Sequence, residues 1–381
     1  MYSIEYVIGT TRHIVYSPFD NTRKIVSGTY HRETNTIGSL TFSVLYNHPV
    51  YNMFKEYKGV VNLYWNNWYG STPASLIYKF RIIKIHRNFY NTLTIQCEGV
   101  LGYLNDSIVK PYVFNVNHSV YPDTVPPPSC SPVEYMTELI ALHNSMVEAE
   151  QRFTFIDETN GAFNSILFTT SQTAYSKTWD ELQSKIIKNI GGYIQIQHMS
   201  AENRLVFKAA LTDSNSQTVR FRQNLKDLEI ETSSKKFVTA IYPISTYTDS
   251  NGTRQTVKLT GTEYIEKSLL VPLYGRIIEC VQYEGINTEA KLREIAQRDL
   301  NSYVNRGKPI KVSATDMSAL DSSVPPLEVD RLTRIISEVN NVDVTVMLNA
   351  FDVDILDPRN STYTFNGEVP SFVRKTYTQK T

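Results

Sequence analysis

Seven histidines, three cysteines and one group of carboxylates are the side chains here that could ligate a metal, attack a carbonyl or carry a proton. The histidines, His13, His31, His48, His86, His118, His143 and His198, are scattered, and no two have the i, i+4 spacing of a helical zinc pair. Cys97, Cys130 and Cys280 include no close pair, so neither a disulfide framework nor a zinc ribbon is encoded. Cys97 lies in phase with Leu93 and Ile95 and reads as a small buried hydrophobe, not a nucleophile. His143, on the inner side of an amphipathic pattern, reads as a hydrogen-bonded structural residue. Asp352, Asp354, Asp357 and Asn360 offer oxygens of the kind calcium binds. Yet Asp352 and Asp354 flank Val353 in an alternating run, which sends both to a solvated face, and Asp357-Pro358 reads as a turn start. Tyr64, Trp65, Asn66, Asn67, Trp68 and Tyr69 could stack on a sugar or a protein, but also read as an aromatic strand and turn. A serine elbow, a His-Glu-x-x-His helix, a phosphate loop and a dinucleotide glycine motif are all missing. The residues therefore predict no catalytic site, no cofactor site and no metal site.

Charge narrows the partners. Lys plus Arg and Asp plus Glu both number 38, so the formal net charge of the 381 residues is zero. Gripping nucleic acid, or an anionic membrane through a polybasic arm, requires a cationic surplus that is absent. The start, Met1 to Tyr6, has no basic segment followed by an apolar core, and no run approaches the roughly 18 apolar residues of a membrane helix. A 41% hydrophobic content and a mean hydropathy of −0.29 fit a soluble protein with several cores, made in a reducing cytosol. Tyr at 25 and Phe at 16, among abundant Ser, Thr and Asn, favour strands and turns. No internal sequence repeat is visible.

The elements that would position these side chains follow from period. Leu40, Phe42 and Val44 share one face of a strand, as do Leu93, Ile95 and Cys97. Leu76, Tyr78, Phe80 and Ile82 share another, and the phase then flips at Ile83 and Ile85, which predicts a bulge. Many short strands with edges to hide predict a closed or nearly closed barrel over the first hundred residues. Pro122, Pro126, Pro127, Pro128 and Pro132 mark an extended connector, after which Ser131 caps a helix carrying Met136, Leu139, Ile140, His143, Met146 and Val147 inward. Thr178 and Glu181 have capping-box spacing for a second helix, with Trp179, Leu182, Ile186 and Ile190 inward and Gly191-Gly192 at its end. A strand pair at 193–198 and 204–208 follows, then strands at 237–247 and 255–259 around Asn251-Gly252. A third helix over 288–305 carries Leu292, Ile295, Ala296 and Tyr303. The last strands are expected at 310–314, 334–339, 342–347 and 351–355.

Several stretches resemble the tail-tip hub proteins of long-tailed phages, the tail-associated or prophage endopeptidase tail baseplate proteins, similar to the central hub of contractile-tailed phages. They are Phe80-Arg81-Ile82-Ile83, the run from Ile95 through Cys97-Glu98-Gly99 and Tyr103-Leu104-Asn105-Asp106 to Ser107, Trp179 to Leu182 with Gly191-Gly192-Tyr193, Tyr274-Gly275-Arg276-Ile277, and Asp357-Pro358. Their order and spacing match the family over nearly the whole chain. The resemblance implies a mainly β, multi-domain tail hub of two β-barrel, tube-like domains plus two mixed α+β domains. The first barrel would span 1–105, an α+β domain 106–225, the second barrel 226–250 with 308–381, and an inserted α+β domain 251–307.

It implies a virion protein at the distal end of the tail, a homotrimer under the hexameric distal tail protein. Three subunits would present a pseudo-sixfold surface. Further partners would be the tape measure protein and receptor-binding proteins of the baseplate, with DNA passing without specific binding. The trimer would close the DNA exit until host attachment, with the Pro122 to Pro132 connector as hinge candidate. Many relatives continue into a cell-wall hydrolase or fibre, and this sequence stops at Thr381, so no enzyme is expected, whether it is a short hub or a truncated one. The competing readings are a tail-associated cell-wall hydrolase and a carbohydrate-binding receptor module.

Overall fold

Polar–apolar alternation with period two places one face of each strand in a core, and the strands dominate this protein. The structure, a computed structural model, describes residues 1–65, 75–113, 131–163, 171–172, 174–198, 202–230, 238–248, 253–305, 309–321, 324–340 and 342–366. The chain divides into two compact units. One comprises Met1–Gly102, Leu211–Glu231 and Lys308–Thr381, the other Tyr103–Ala210 and Thr232–Gly307.

The first unit is built on a thirteen-stranded sheet. Its N-terminal strand set is β1 (Tyr2–Ile8), β2 (Thr11–Tyr16), β3 (Ser27–Glu33), β4 (Ser39–Val44), β5 (Val60–Trp65), β6 (Ser75–Arg87) and β7 (Leu93–Gly99). Within the sheet they run β3-β4-β7-β6-β5-β1-β2. The expected phases hold for Leu40, Phe42, Val44, Leu93, Ile95, Cys97, Tyr78, Phe80 and Ile82, all buried, while Leu76, expected on the same face, is half-buried. The register of β6 against β7 slips between Ile82 and Lys84, which makes Ile83 the extra residue of the expected bulge.

The C-terminal set is β8 (Ser214–Arg220), β9 (Leu225–Ile230), β10 (Pro309–Ala314), β11 (Arg331–Ser337), β12 (Val342–Asp354) and β13 (Thr362–Asn366). They run β9-β10-β13-β12-β11-β8, the order of β3-β4-β7-β6-β5-β1 with each strand replaced by its counterpart in chain order. Both sets contain a 13-residue strand, β6 and β12, that forms a bulged hairpin with the strand after it. One pairing differs: β1 meets β5 antiparallel, whereas β8 meets β11 parallel.

Two expectations change here. The strands expected at 342–347 and 351–355 are one strand, β12. Its buried residues run Val342, Val344, Val346, Leu348 and then Phe351 and Val353, because a bulge between Leu348 and Ala350 shifts the phase. Also, β8 pairs into the C-terminal set although it lies before residue 226, and Ala240–Thr248 pairs into a sheet of the other unit. In β8 the residues Ser214-Asn215-Ser216-Gln217-Thr218 have no apolar alternation, so nothing in them reads as strand.

The second unit contains α1 (Pro132–Met146), whose Ser131 and Glu134 form the expected capping box. Met136, Leu139, Ile140 and His143 are buried, while Met146, expected inward, ends the helix 43% exposed. Phe153–Glu158 pairs parallel with Asn203–Lys208, which pairs antiparallel with Tyr193–His198. Ala240–Thr248 pairs with Arg254–Lys258, Ile265–Glu266 and Ile278–Glu284. Over it α2 (Glu289–Asn305) packs Leu292, Ile295, Ala296 and Leu300. The Asn251-Gly252 turn, the helix-capping prolines' upstream run Pro122 to Pro128 and Tyr303's side chain lie outside the described residues.

The two faces of β4 give a direct test. Phe42→Ala, which empties a fully buried site against Phe54, is expected to cost about 3–5 kcal/mol. Thr41→Ala on the opposite face is expected to cost under about 1 kcal/mol. Urea unfolding monitored by tyrosine and tryptophan fluorescence measures both.

Candidate functional site

The two strand sets meet along one seam, β3 against β12. Thr29, Tyr30, His31, Arg32 and Glu33 lie opposite Asp354, Val353, Asp352, Phe351 and Ala350. The ladder continues beyond the strands, with Thr34 N donating to Asn349 O at 2.8 Å and Ile355 N to Gly28 O at 2.9 Å. On the inner face Tyr30 meets Phe351 edge-on at 5.1 Å and Phe80 at 5.8 Å, and burial pushes the Tyr30 phenol well above its ordinary pKa. Arg32 also points inward, stacked 4.6 Å over the Tyr78 ring and 3.9 Å from the buried Asp330 carboxylate. Burial opposes the Arg32 charge, but Tyr78, Tyr30 and Asp330 outweigh it, so the pKa lies above the ordinary arginine value. Asp330, at φ +68°, accepts from Thr34 Oγ1 at 2.7 Å, which ties the residue before β11 back to β3. On the outer face His31 Nδ1 and Asp352 Oδ1 pair at 2.9 Å.

A second charged pair organises the end of β7. Arg81 and Glu98 face each other across β6 and β7, Nε to Oε1 at 2.5 Å, and Arg81 Nη2 donates to Gly102 O at 3.0 Å. A Cβ on Gly102 would sit 2.5 Å from the Glu98 carboxyl carbon, and one on Gly99 would sit 2.1 Å from Ile37 O. The Cys-Glu-Gly segment with its following glycine is thus a steric and electrostatic unit. The sequence carried its signal, an arginine inside the apolar run Phe80-Arg81-Ile82-Ile83, but the partner emerges only from the register.

The residues considered for chemistry fall elsewhere. His143 is fully buried; its Nε2 lies 3.1 Å from Gln151 O and its Nδ1 2.7 Å from Ser107 Oγ. Since a carbonyl only accepts, Nε2 carries the proton, Ser107 donates to Nδ1, and Thr178, 2.6 Å away, donates to Ser107. A hydroxyl donating to a neutral imidazole has the form of a nucleophile and base. Here Ser107 is 1% exposed and every polar atom of the trio is taken, so the arrangement is structural. The expected Thr178–Glu181 capping box is absent. Thr178 is already helical and bonded to Ser107, while Glu181 is buried and accepts from Tyr135 Oη at 2.8 Å and Ser176 Oγ at 3.1 Å. The helix then opens into π geometry over Leu182–Ile187.

Burial raises the Cys97 thiol far above its ordinary pKa, as a core residue requires. Asp352 is engaged by His31, Asp354 accepts from Leu356 N and Asp357 N, and Asp357 caps Pro358–Asn360 while pairing with Arg359. The carboxylates therefore do not converge, and among the described residues no three potential ligands cluster for a metal. Trp65 is a buried strand residue set edge-on to Tyr2 at 4.9 Å, and Tyr64 donates to Glu5 at 3.0 Å. Asn66, Asn67, Trp68 and Tyr69 lie outside the described residues. In Tyr274-Gly275-Arg276-Ile277, Gly275 takes φ +76° after a helical turn, and Arg276 pairs with Glu266 and covers the Tyr264 ring.

Residues 212–376 match the model of the family described as prophage endopeptidase tail. The fold is shared with solved phage tail proteins across the full length. A tail protein from Neisseria meningitidis MC58 superposes with a TM-score of 0.62 at 9% identity, covering 96% of each chain. A prophage tail protein from Listeria monocytogenes gives 0.58 at 14% identity, covering 97% of this chain and 96% of the other. The 43 kDa tail protein of prophage MuSo2 from Shewanella oneidensis gives 0.57 at 9% identity, covering 96% and 98%. No curated protein sequence matches. The resemblance read from short motifs and the mainly β tail-protein fold both stand on these comparisons.

Two measurements probe these networks. Arg81→Met strands the Glu98 carboxylate beside Gly102, and is expected to cost about 3 kcal/mol in urea unfolding, whereas Arg12→Met near Glu5, whose arginine side chain is 72% exposed, should cost under about 0.5 kcal/mol. Burial depresses the His143 and His48 pKa values. The unfolded chain then binds more protons as pH falls below about 6.5. Stability should accordingly be full above that pH and decline toward pH 5, and His143→Gln should flatten the slope in a pH series of thermal melts.

Proposed function

We propose that this chain is a structural hub at the distal end of a phage tail, which trimerises beneath the hexameric distal tail protein and closes the DNA exit until host attachment. One observation carries the reading: two strand sets with the same strand order are zipped through β3 and β12 into a single sheet. Three copies supply six such sets, the number a sixfold ring requires of a threefold cap. The free edges fit this arrangement. Among the described residues β2, β8 and β9 each have a ladder partner on one side only, and an unpaired edge in an assembled protein is an invitation to another chain.

The neutral formal charge suits a conduit that lets a polyanion pass without holding it. The tape measure protein above and receptor-binding proteins around the ring are the further partners of this reading. Closure would be a two-state property of the trimer, with host engagement favouring the open ring. The Ser107–His143 pair, which has the form a hydrolase would use, is sealed from solvent, and the hub reading assigns no bond-breaking step to it.

Mass measurement in solution, alone and with the hexameric distal tail protein, tests the assembly. A trimer, formed either way, is expected; a monomer that ignores the hexamer at high concentration overturns the hub. Cross-linking neighbouring subunits at the ring axis in intact particles should block genome release, and normal ejection would remove the gate. Purified protein should release no soluble fragments from peptidoglycan.

A further inference from the structure

The strands of the seam, β3 and β12, have counterparts β9 and β6 in the duplicated order. From Ala350 on, β12 lies between β13 on one side and β3 on the other. The counterpart stretch of β6 begins at Lys84, because Ile83 and Asn349 are the extra residues of the two bulges. There β7 pairs on one side, but the pairing with β5 stops at Phe80, and among the described residues no strand lies against the other side. In the same way β9 pairs β10 alone among the described residues, where β3 pairs both β4 and β12. Each strand of the seam therefore has a counterpart whose edge is open.

Exposure differs accordingly. Beside β3, Phe351 and Val353 are 4% and 2% exposed, whereas their counterparts Ile85 and Arg87 are half-buried and exposed. Two residues past Val353, Ile355 is buried and donates to Gly28 O; two residues past Arg87, Phe89 is 92% exposed and forms an aromatic hairpin tip with Tyr90. The open edge of β6 is guarded at one point, where Ile85 N donates to Glu56 Oε1 at 3.1 Å, a side-chain cover of the kind that shields a strand edge until it is paired. The two open edges carry opposite charge. Lys84, His86 and Arg87 are exposed on β6, and Asp227 and Glu229 on β9, where Lys226 donates to Arg359 O.

We propose that β9 of one copy pairs antiparallel with this open edge of β6 in the next copy, repeating between chains the seam that β3 and β12 make within one. This rests on the hub reading above and supplies its trimer contact. The register follows from the ladders. Thr29 pairs Thr41, Thr41 pairs Gln96, and Gln96 pairs Lys84. Glu229 pairs Lys311, Lys311 pairs Thr364, and Thr364 pairs Ala350. Glu229 thus holds the place of Thr29, and Asn88 that of Asp354, which Thr29 faces. Glu229 of one copy then faces Asn88 of the next and lies diagonal to His86, at the basic end of β6. The contact is head-to-tail, and three of them close a ring in which six seams alternate, three within chains and three between them.

The test is mass measurement and amide hydrogen exchange on the full chain, alone and with the distal tail protein hexamer. Exchange across 84–87 and Leu225–Ile230 is expected to slow at least about tenfold when the trimer forms, since strand pairing occupies main-chain N–H groups that side-chain packing leaves free. His86→Glu with Arg87→Glu, and separately Asp227→Lys with Glu229→Lys, should each raise the concentration needed for the trimer at least about tenfold. The four changes together should restore it to within about threefold. These side chains are exposed, so thermal melts matching the unsubstituted protein confirm that the variants fold. A trimer that forms without slowed exchange in both strands, or charge variants that assemble like the unsubstituted protein, overturns the seam and leaves the hub intact. Losses that the combined variant fails to restore do the same. A chain that stays monomeric with the hexamer present overturns both.

Discussion

Backbone pairing of β3 with β12 is the constraint on which the first unit depends. It joins residues more than 300 positions apart in sequence, as the His31–Asp352 pair illustrates. Two long excursions, 103–210 and 232–307, leave the first unit and return before the ladder can close. Loop closure of that length costs only slowly more with each added residue, so the excursions are thermodynamically tolerable, but they make the pairing non-local and hence slow to form. Side chains fasten the seam on both faces. Tyr30, Phe351 and Val353 bury apolar area inside, while Arg32 is an inward charge whose burial is offset by the Tyr78 face and Asp330.

The duplicated strand order is kept by different means in the two sets. In the N-terminal set, glycines at 99 and 102 admit Ile37 and Glu98 at close range, and Glu98 in turn holds Arg81. In the C-terminal set the corresponding support is a buried polar network. Asp316 accepts from Ser318 N and Leu327 N, both at 2.9 Å, and from Gln217 Nε2 at 2.6 Å, while Asn215 Nδ2 reaches Thr333 Oγ1 at 2.9 Å. These amides stitch β8 to the segment before β11, and β8 is the strand with no apolar alternation of its own. The parallel pairing at that position thus depends on side-chain amides where the antiparallel β1–β5 pairing depends on buried Ile4, Tyr6, Val61 and Leu63.

What was legible in the sequence follows from this contrast. The buried faces of strands with strict alternation, such as β4 and β7, were legible although β7 runs on to Gly99, and so was the bulge in β6, because Ile83 and Ile85 keep apolar residues on both sides of the slip. The comparable bulge in β12 falls between two strands expected separately at 342–347 and 351–355, because the apolar phase shifts across Leu348-Asn349-Ala350. Thr178 and Glu181 had the spacing of a cap but spend their side chains on Ser107 and Tyr135, partners distant in sequence that no local pattern encodes. The burial of His143 was legible because its place on the inner face of α1 is a local property, whereas its partners Ser107 and Gln151 were not. The aromatic tip was in plain view as Asn88-Phe89-Tyr90-Asn91, yet exposure is a tertiary fact and period alone could not supply it.

The absence of any sequence repeat beside a repeated topology has a physical rationale under the hub reading. A sixfold ring facing a threefold cap needs six surfaces of similar backbone geometry, because edge pairing is made by main-chain N–H and C=O groups that are the same in every residue. Side chains behind those edges need only keep the strands in place, so glycine contacts in one set and amide networks in the other are interchangeable solutions. On that reading, selection for quasi-equivalence would act on strand order and strand length, which are matched in β6 and β12, and leave the side chains free to diverge. Divergence is then available for another use. Two tips at equivalent positions can carry different chemistry, Phe89 and Tyr90 on one and Leu356 with an Asp357–Arg359 pair on the other.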